Sequence, residues 1–169
     1  MCNPFVNQDR SDAFAERMLE TVNAGALSLM ISIGHRTRLF DCMSHLPPAT
    51  SQEIATAARL DERYVREWLG AMVTGKVVEY SPRDRYYYLP KEHASYLTRC
   101  ARTDNVSALA QFIGVLGSVE DSIVECFRNG GGVPYSEFPR FHDVMAEESA
   151  NTVVSELVDS ILPLLPGMI

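Results

Sequence analysis

The sequence predicts a mainly α-helical fold built on a winged helix-turn-helix, with a short β-hairpin as the wing and further helices on either side. Three observations predict it. First, Thr50-Ser51-Gln52-Glu53 has capping-box spacing and opens a short helix over residues 51–59, with Ile54, Ala55 and Ala58 inward. Second, residues 61–74 place Tyr64, Val65, Trp68, Leu69, Met72 and Val73 at helical spacing on one apolar face, with Arg63, Arg66 and Glu67 opposite. Third, residues 77–80 and 86–89 are β-rich runs flanking Ser81-Pro82-Arg83-Asp84-Arg85, where Pro82 suits the second position of a turn. Helix, turn, helix, hairpin is the winged-helix order.

Taken in order, residues 1–10 are polar and expected to be loose. A helix begins near Ser11 with Phe14, Met18, Leu19 and Val22 on one face, and continues into residues 24–31, which are apolar nearly all round. Such a helix must be covered on every side, and a second copy of the chain is the expected cover, which makes a homodimer. Gly34 is the expected stop. The most apolar stretch, residues 24–33, is ten residues long. A bilayer span needs about twenty, so no membrane anchor is expected. Residues 38–44 form the first short helix of the winged unit, with Leu39, Phe40 and Met43 inward, and Pro47-Pro48 ends it. Residues 91–97 form another.

From Asp104 a second helical region presents Val106, Leu109, Ala110, Phe112, Ile113, Leu116 and Val119 on one side and runs on through Ile123, Val124 and Phe127. Gly114 and Gly117 inside it point to close helix approach or a kink. Gly130-Gly131-Gly132 breaks the helix, an aromatic, proline-punctuated loop follows, and a helix resumes near Arg140 with Phe141, Val144 and Met145. Val153, Val154, Leu157, Val158, Ile161 and Leu162 lead into an apolar, Pro-Gly-containing ending. That ending reads as the approach to a further element, so the chain is expected to be part of something longer. The expected organisation is 1–34 for dimerisation, 35–100 for the winged helix and 101–169 as a helical connector.

A chain of 169 residues that is 46% hydrophobic and 22% charged folds rather than staying disordered. Its net charge of -7 counts against nucleic acid, where phosphate contacts supply most of the affinity. Cys2, Cys42, Cys100 and Cys126 are far apart and read as reduced thiols of a cytoplasmic protein. His35, His45, His93 and His142 have no metal-ligand spacing, and each reads as a surface or cap residue.

Two stretches together resemble a known family. One runs from Leu39-Phe40-Asp41 through Pro47-Pro48-Ala49-Thr50-Ser51-Gln52-Glu53 to Tyr64-Val65-Arg66-Glu67-Trp68-Leu69; the other is Pro139-Arg140-Phe141-His142-Asp143-Val144-Met145. Their order resembles the N-terminal region of class I S-adenosylmethionine-dependent methyltransferases of the small-molecule O-methyltransferase type, in a bacterial branch. The resemblance implies that the winged region dimerises and covers the substrate. It also implies a helix after the Pro-Arg-Phe motif that leads to a Rossmann-like domain holding the cofactor. This sequence departs from the pattern there: it has no Asp-x-Gly-x-Gly-x-Gly stretch, and Gly130 to Gly132 does not sit between a strand and a helix. The chain alone is therefore expected neither to bind S-adenosylmethionine tightly nor to transfer a methyl group.

By the same resemblance, Tyr135 and Met145 face the cofactor, and Phe138, Phe141 and His142 form a lid over a small-molecule methyl acceptor. Aromatic and thioether side chains suit a cationic sulfur. The plainer reading is packing under a long loop, with Phe141 in the core. No catalytic residue and no metal is expected. For residues 61–74 the alternative is a DNA-reading helix of a transcriptional regulator, but Asp61 and Glu62 open it and Glu67 offsets Arg63 and Arg66. A stand-alone helical dimer scaffold is the third reading. Glu120-Asp121 and Glu147-Glu148 are adjacent carboxylates that point apart on a helix and read as solvated surface.

Overall fold

The computed structural model describes residues 6–154 and 156–165, apart from the side chains of residues 102–104. Cys2 and the Pro-Gly ending at residues 166–169 lie outside the described residues.

Helix α1 spans Gln8–Arg36 and is capped by Asn7, whose side-chain oxygen accepts from the Arg10 N–H at 3.1 Å. Gly34 does not stop it. A Cβ there would stand 2.5 Å from Trp68 Cζ2 and 2.7 Å from Phe40 Cε2, so the glycine serves close approach inside the helix. Leu27, Met30 and Ile31 pack on the core, whereas residues 8–24 are all exposed. At about 1.5 Å per residue, roughly 25 Å of α1 stands clear of the core.

Helices α2 (Leu39–His45), α3 (Ser51–Ala58) and α4 (Glu62–Thr74) follow. The capping box forms in full: the Thr50 N–H donates to Glu53 Oε2 at 2.8 Å and the Glu53 N–H to Thr50 Oγ1 at 3.3 Å. These bonds, to the Thr50 backbone first and its side chain second, hold the Glu53 carboxyl below its ordinary range. Asp61 caps α4 through the Arg63 N–H at 3.0 Å. Val65, Trp68, Leu69 and Met72 are buried. Tyr64, expected on that face, is 73% exposed. At about 100° per residue it sits on the rim of the apolar arc rather than inside it.

The wing is an antiparallel hairpin of β1 (Glu79–Ser81) and β2 (Tyr86–Tyr88), in register Glu79↔Tyr88, Tyr80↔Tyr87 and Ser81↔Tyr86. Val77 and Val78, expected in the first strand, instead close off α4, both donating to the Met72 carbonyl at 2.8 and 3.2 Å. Ala49 bridges Tyr87, which pins the wing to the chain ahead of α3. Helix α5 (Lys91–Leu97) completes the unit. Its core centres on Trp68, whose ring meets Phe40 edge-on at 5.2 Å and whose Nε1–H donates to Met30 O at 2.8 Å.

A 3-10 segment at Arg99–Asp104 leads to α6 (Val106–Leu109), α7 (Gln111–Gly117) and α8 (Glu120–Asn129). The expected continuous helix is thus broken twice, and the chain bends by 52° before α8. Gly114 needs no close approach: its nearest neighbour is Leu29 Cδ2 at an ordinary 3.7 Å. The 3-10 turn Tyr135–Glu137, α9 (Phe141–Ser149), π-helical turns at Ala150–Val154 and Leu157–Ile161, and a last 3-10 turn at Leu162–Leu164 finish the described chain. Among the described residues, no single helix is long and apolar enough to cross a membrane.

The face that α6 and α7 bury is not the apolar one. Ser107, Ala108, Gln111 and Val115 point inward, while Val106, Leu109, Ile113 and Leu116 are exposed. The reason is a polar network. His35, read from the sequence as a surface or cap residue, is 1% exposed. Its Nε2 lies 2.8 Å from Glu147 Oε1, and its Nδ1 lies 2.9 Å from Ser107 Oγ. The Ser107 hydroxyl, also 2.8 Å from Leu97 O, can donate to a neutral ring or accept from a charged one while donating to Leu97. Gln111 Nε2 donates to Glu147 Oε2 at 2.8 Å, and Gln111 Oε1 accepts from Arg140 Nη2 at 2.9 Å. Arg99 binds Asp41 at 2.6 Å and approaches Glu147 at 4.0 Å. Glu147 is therefore not solvated surface. Burial pushes its carboxyl up, but hydrogen bonds from Gln111 and His35 and the charges of His35 and Arg99 outweigh that and lower it.

Gly34→Ala should destabilise the chain by about 1–3 kcal/mol through overpacking against Trp68 and Phe40. Gly70→Ala, within α4 and with nothing near its added Cβ, should instead stabilise it by about 0.5–1 kcal/mol. Urea unfolding of both variants reads the contrast. Because the Glu147 carboxyl is lowered in the folded chain, the unfolded chain binds more protons just below the ordinary value of 4.5. The stability that Glu147 contributes is thus complete above that value and is lost as the pH falls through the lower folded one. The Tm gap between the native chain and Glu147→Gln should be widest near neutrality and close in acid.

Candidate functional site

Three arrangements could carry chemistry: the Ser107–His35–Glu147 chain, the outer face of α4 with the wing, and the aromatic turn before α9. The first has the connectivity of a nucleophilic triad, serine to imidazole to carboxylate. It lacks access. Ser107 is fully buried, and its hydroxyl is shared among His35, the Leu97 carbonyl and Asn105 Oδ1. No reacting carbon could approach Oγ, so the three residues fix α9 against α1 and α6.

The second arrangement carries the groups a DNA-reading helix would need, but they are engaged or balanced. Arg66 Nη1 is 3.2 Å from Glu62 Oε2, and Glu62 Oε1 also accepts from Ser51 Oγ at 2.7 Å. In the wing, Ser81 Oγ donates to Asp84 Oδ2 at 3.2 Å between exposed Arg83 and Arg85. Acidic groups therefore stand at the start of the helix and at the tip of the wing, where a phosphate backbone would pass.

The third arrangement brings together four residues singled out from the sequence. Pro134 enters the 3-10 turn in extended backbone, and the Phe138 N–H closes it on the Tyr135 carbonyl at 3.2 Å. Tyr135 then stands 5.3 Å from Phe141 and 6.4 Å from both Phe138 and His142, centroid to centroid. Phe138 and His142 lie 5.9 and 5.8 Å from Phe141. Phe141, expected in the core, is half-buried and forms the hub, with Phe112 of α7 meeting it edge-on at 6.2 Å. Phe112 belongs to the cluster although the sequence pattern assigned it only to a helix face. Val144, 1% exposed, is the residue that anchors α9 in the interior. Met145 follows Phe141 by about one turn and is exposed, and Tyr135 is 68% exposed. The result is an open aromatic and thioether ledge, positioned by Val144 beneath it and by Glu147 two residues beyond Met145.

This ledge is no cofactor cradle by itself. Among the described residues the paired strands are the β1–β2 hairpin, and Gly130 and Gly131, at φ +73° and +95°, follow a helix rather than a strand. No strand–glycine turn–helix is present there to hold a nucleoside cofactor.

Comparison with known proteins bears on the fold. Residues 25–99 match the Rv2258c-like winged HTH domain. No curated protein matches the sequence. Among solved structures, the chain is similar to the mitomycin 7-O-methyltransferase, with a TM-score of 0.66 and 14% identity over 89% of this chain and 47% of that one. It is similar to human N-acetylserotonin methyltransferase, solved with S-adenosylmethionine, with a TM-score of 0.62 and 16% identity over 98% of this chain and 51% of that one. It is also similar to the N,N-8-amino-8-demethyl-D-riboflavin dimethyltransferase of Streptomyces davawensis, with a TM-score of 0.64 and 17% identity over 85% and 45%. The chain spans about half the length of the structures it matches. It contains a winged-helix domain within a fold related to the corresponding part of S-adenosylmethionine-dependent methyltransferases.

Proposed function

We propose that this chain is the dimerisation and substrate-lid unit of an S-adenosylmethionine-dependent methyltransferase acting on a small molecule. The observation that carries this reading is the coverage: nearly all of this chain overlays about half of several such enzymes. The aromatic ledge supports it. In the proposal Phe138, Phe141 and His142 cover the methyl acceptor and exclude water, while Tyr135 and Met145 lie toward the cofactor's sulfonium, where π faces and a polarizable sulfur favour positive charge. S-adenosylmethionine supplies the methyl group; the cradle that binds it belongs to a catalytic domain of the parent protein. Residues 1–34 serve dimerisation, 35–100 form the winged unit and 101–169 the connector.

The exposed half of α1 supports a homodimer. Phe14, Leu19 and Val22 are more than half exposed along its first half. The outward apolar row of α6 and α7 extends the surface that needs covering. The balanced charges on α4 and the wing favour structural use of the winged helix over DNA reading.

Sedimentation at micromolar concentration should give a dimer, and Leu19→Asp with Val22→Asp a folded monomer; a monomeric native chain would contradict the dimer. In the parent enzyme, Phe141→Ala should cost about tenfold or more in kcat/KM for the acceptor, from lost positioning in the closed pocket. An open reading frame ending at codon 169, with no glycine-rich methyltransferase motif after it, would remove the enzyme reading.

A further inference from the structure

A small cavity of about 140 Å³ opens between the end of α1, α7 and the residues just ahead of α9. Its polar wall is Ser32, Arg36, Gln111 and Arg140, and Val115 and Pro139 form its apolar wall. Ser32, 7% exposed, stands on the cavity wall. Its hydroxyl can donate to an acceptor held there. Arg36 has no carboxylate partner among the described residues. Arg140 is engaged through one nitrogen, on Gln111 Oε1, and keeps its remaining N–H groups.

The cavity wall contains no acidic side chain. The nearest carboxylate, Glu147, lies behind Gln111 and is already occupied by His35 and by the Gln111 amide, with Arg99 at 4.0 Å. The site thus offers two guanidinium forks and a hydroxyl, all donors, beside an apolar wall. Donors of this kind match the two oxygens of a carboxylate in a planar, bidentate arrangement. A cavity of about 150 Å³ is large enough for a benzene ring, so the apolar wall suits the ring or alkyl part of the same molecule.

We propose that this cavity binds a small organic carboxylate, with Arg36 and Arg140 on its oxygens, Ser32 donating from below, and its apolar part against Val115 and Pro139. The site lies on this chain's own residues and does not depend on the methyltransferase reading. It can be tested with no cofactor and no turnover.

The test is a benzoate titration of the intact chain, read by the 15N resonances of Ser32 and Gln111 and the Nε–H resonances of Arg36 and Arg140. Benzamide, of the same shape but neutral, is the control. Benzoate should shift these resonances saturably, benzamide should not, and added salt should weaken the effect. Arg36→Gln and Ser32→Ala should each weaken benzoate, the first by about tenfold, as expected for one lost charged hydrogen bond. Arg36 is exposed on the last turn of α1, so this variant keeps the fold; Arg140→Gln also loses the bond to Gln111 and is the secondary variant. Equal binding of benzamide, unchanged benzoate affinity in Arg36→Gln, or shifts confined to other residues would overturn the site.

Discussion

The approach of α1 to α4 at Gly34 is the constraint on which the rest of the structure depends. Trp68 can be sealed only if the helix above it has no side chain at that point, and Phe40 closes the same gap edge-on. A buried indole brings a large apolar area and one N–H that must find an acceptor. It finds the Met30 carbonyl, on α1 itself. The contact therefore fixes both the height and the rotation of α1 on α4. Leu27 completes the register lower down, where a Cβ on Gly75 would come within 2.5 Å of its Cδ1.

That rotation determines what the next residue does. Gly34 faces Trp68, so His35, about 100° further round, faces the second half of the chain. There it meets Ser107 and Glu147, 72 and 112 residues away in sequence. One helical turn thus serves two interfaces, an apolar one toward α4 and a polar one toward α6 and α9. The aromatic ledge inherits its position from this turn, because Val144 and Glu147 hold the same face of α9 that places Phe141 beside Tyr135. The winged core is thereby coupled to the ledge through α1 rather than through the wing.

The winged unit was legible because its signals are local. The capping box, the apolar face of α4 and the hairpin each lie within about a dozen residues, and the structure forms all three. The aromatic cluster was legible as a set of residues, though its hub, Phe141, was expected deeper, and Phe112 was missed because its partners come from another element. His35 and Glu147 were not legible at all. A single histidine at the end of a helix and a glutamate beside another glutamate look like solvated surface, and only the fold brings them to 2.8 Å. The Gly34 reading failed in the same way: a glycine near a helix end signals a stop locally, whereas here a tryptophan from 34 residues later requires it. For α6 and α7, periodicity identified an apolar face correctly but could not say which face meets the core.

That inverted face bears on how the second half of the chain is held. Buried polar networks give direction and register more reliably than net stability, since desolvation offsets much of what the hydrogen bonds return. The segment from α6 to α9 buries few large apolar side chains, chiefly Val115, Val119 and Val144. Its orientation on α1 is therefore specified by Ser107, Gln111 and Glu147, while most of its apolar area, from Val106 to Phe127, remains on the outside. A segment built this way is positioned accurately but weakly stabilised by its own contacts. Covering its outer row would add hydrophobic stabilisation without changing where the network has placed it, because the apolar row and the polar network lie on opposite faces of α6 and α7.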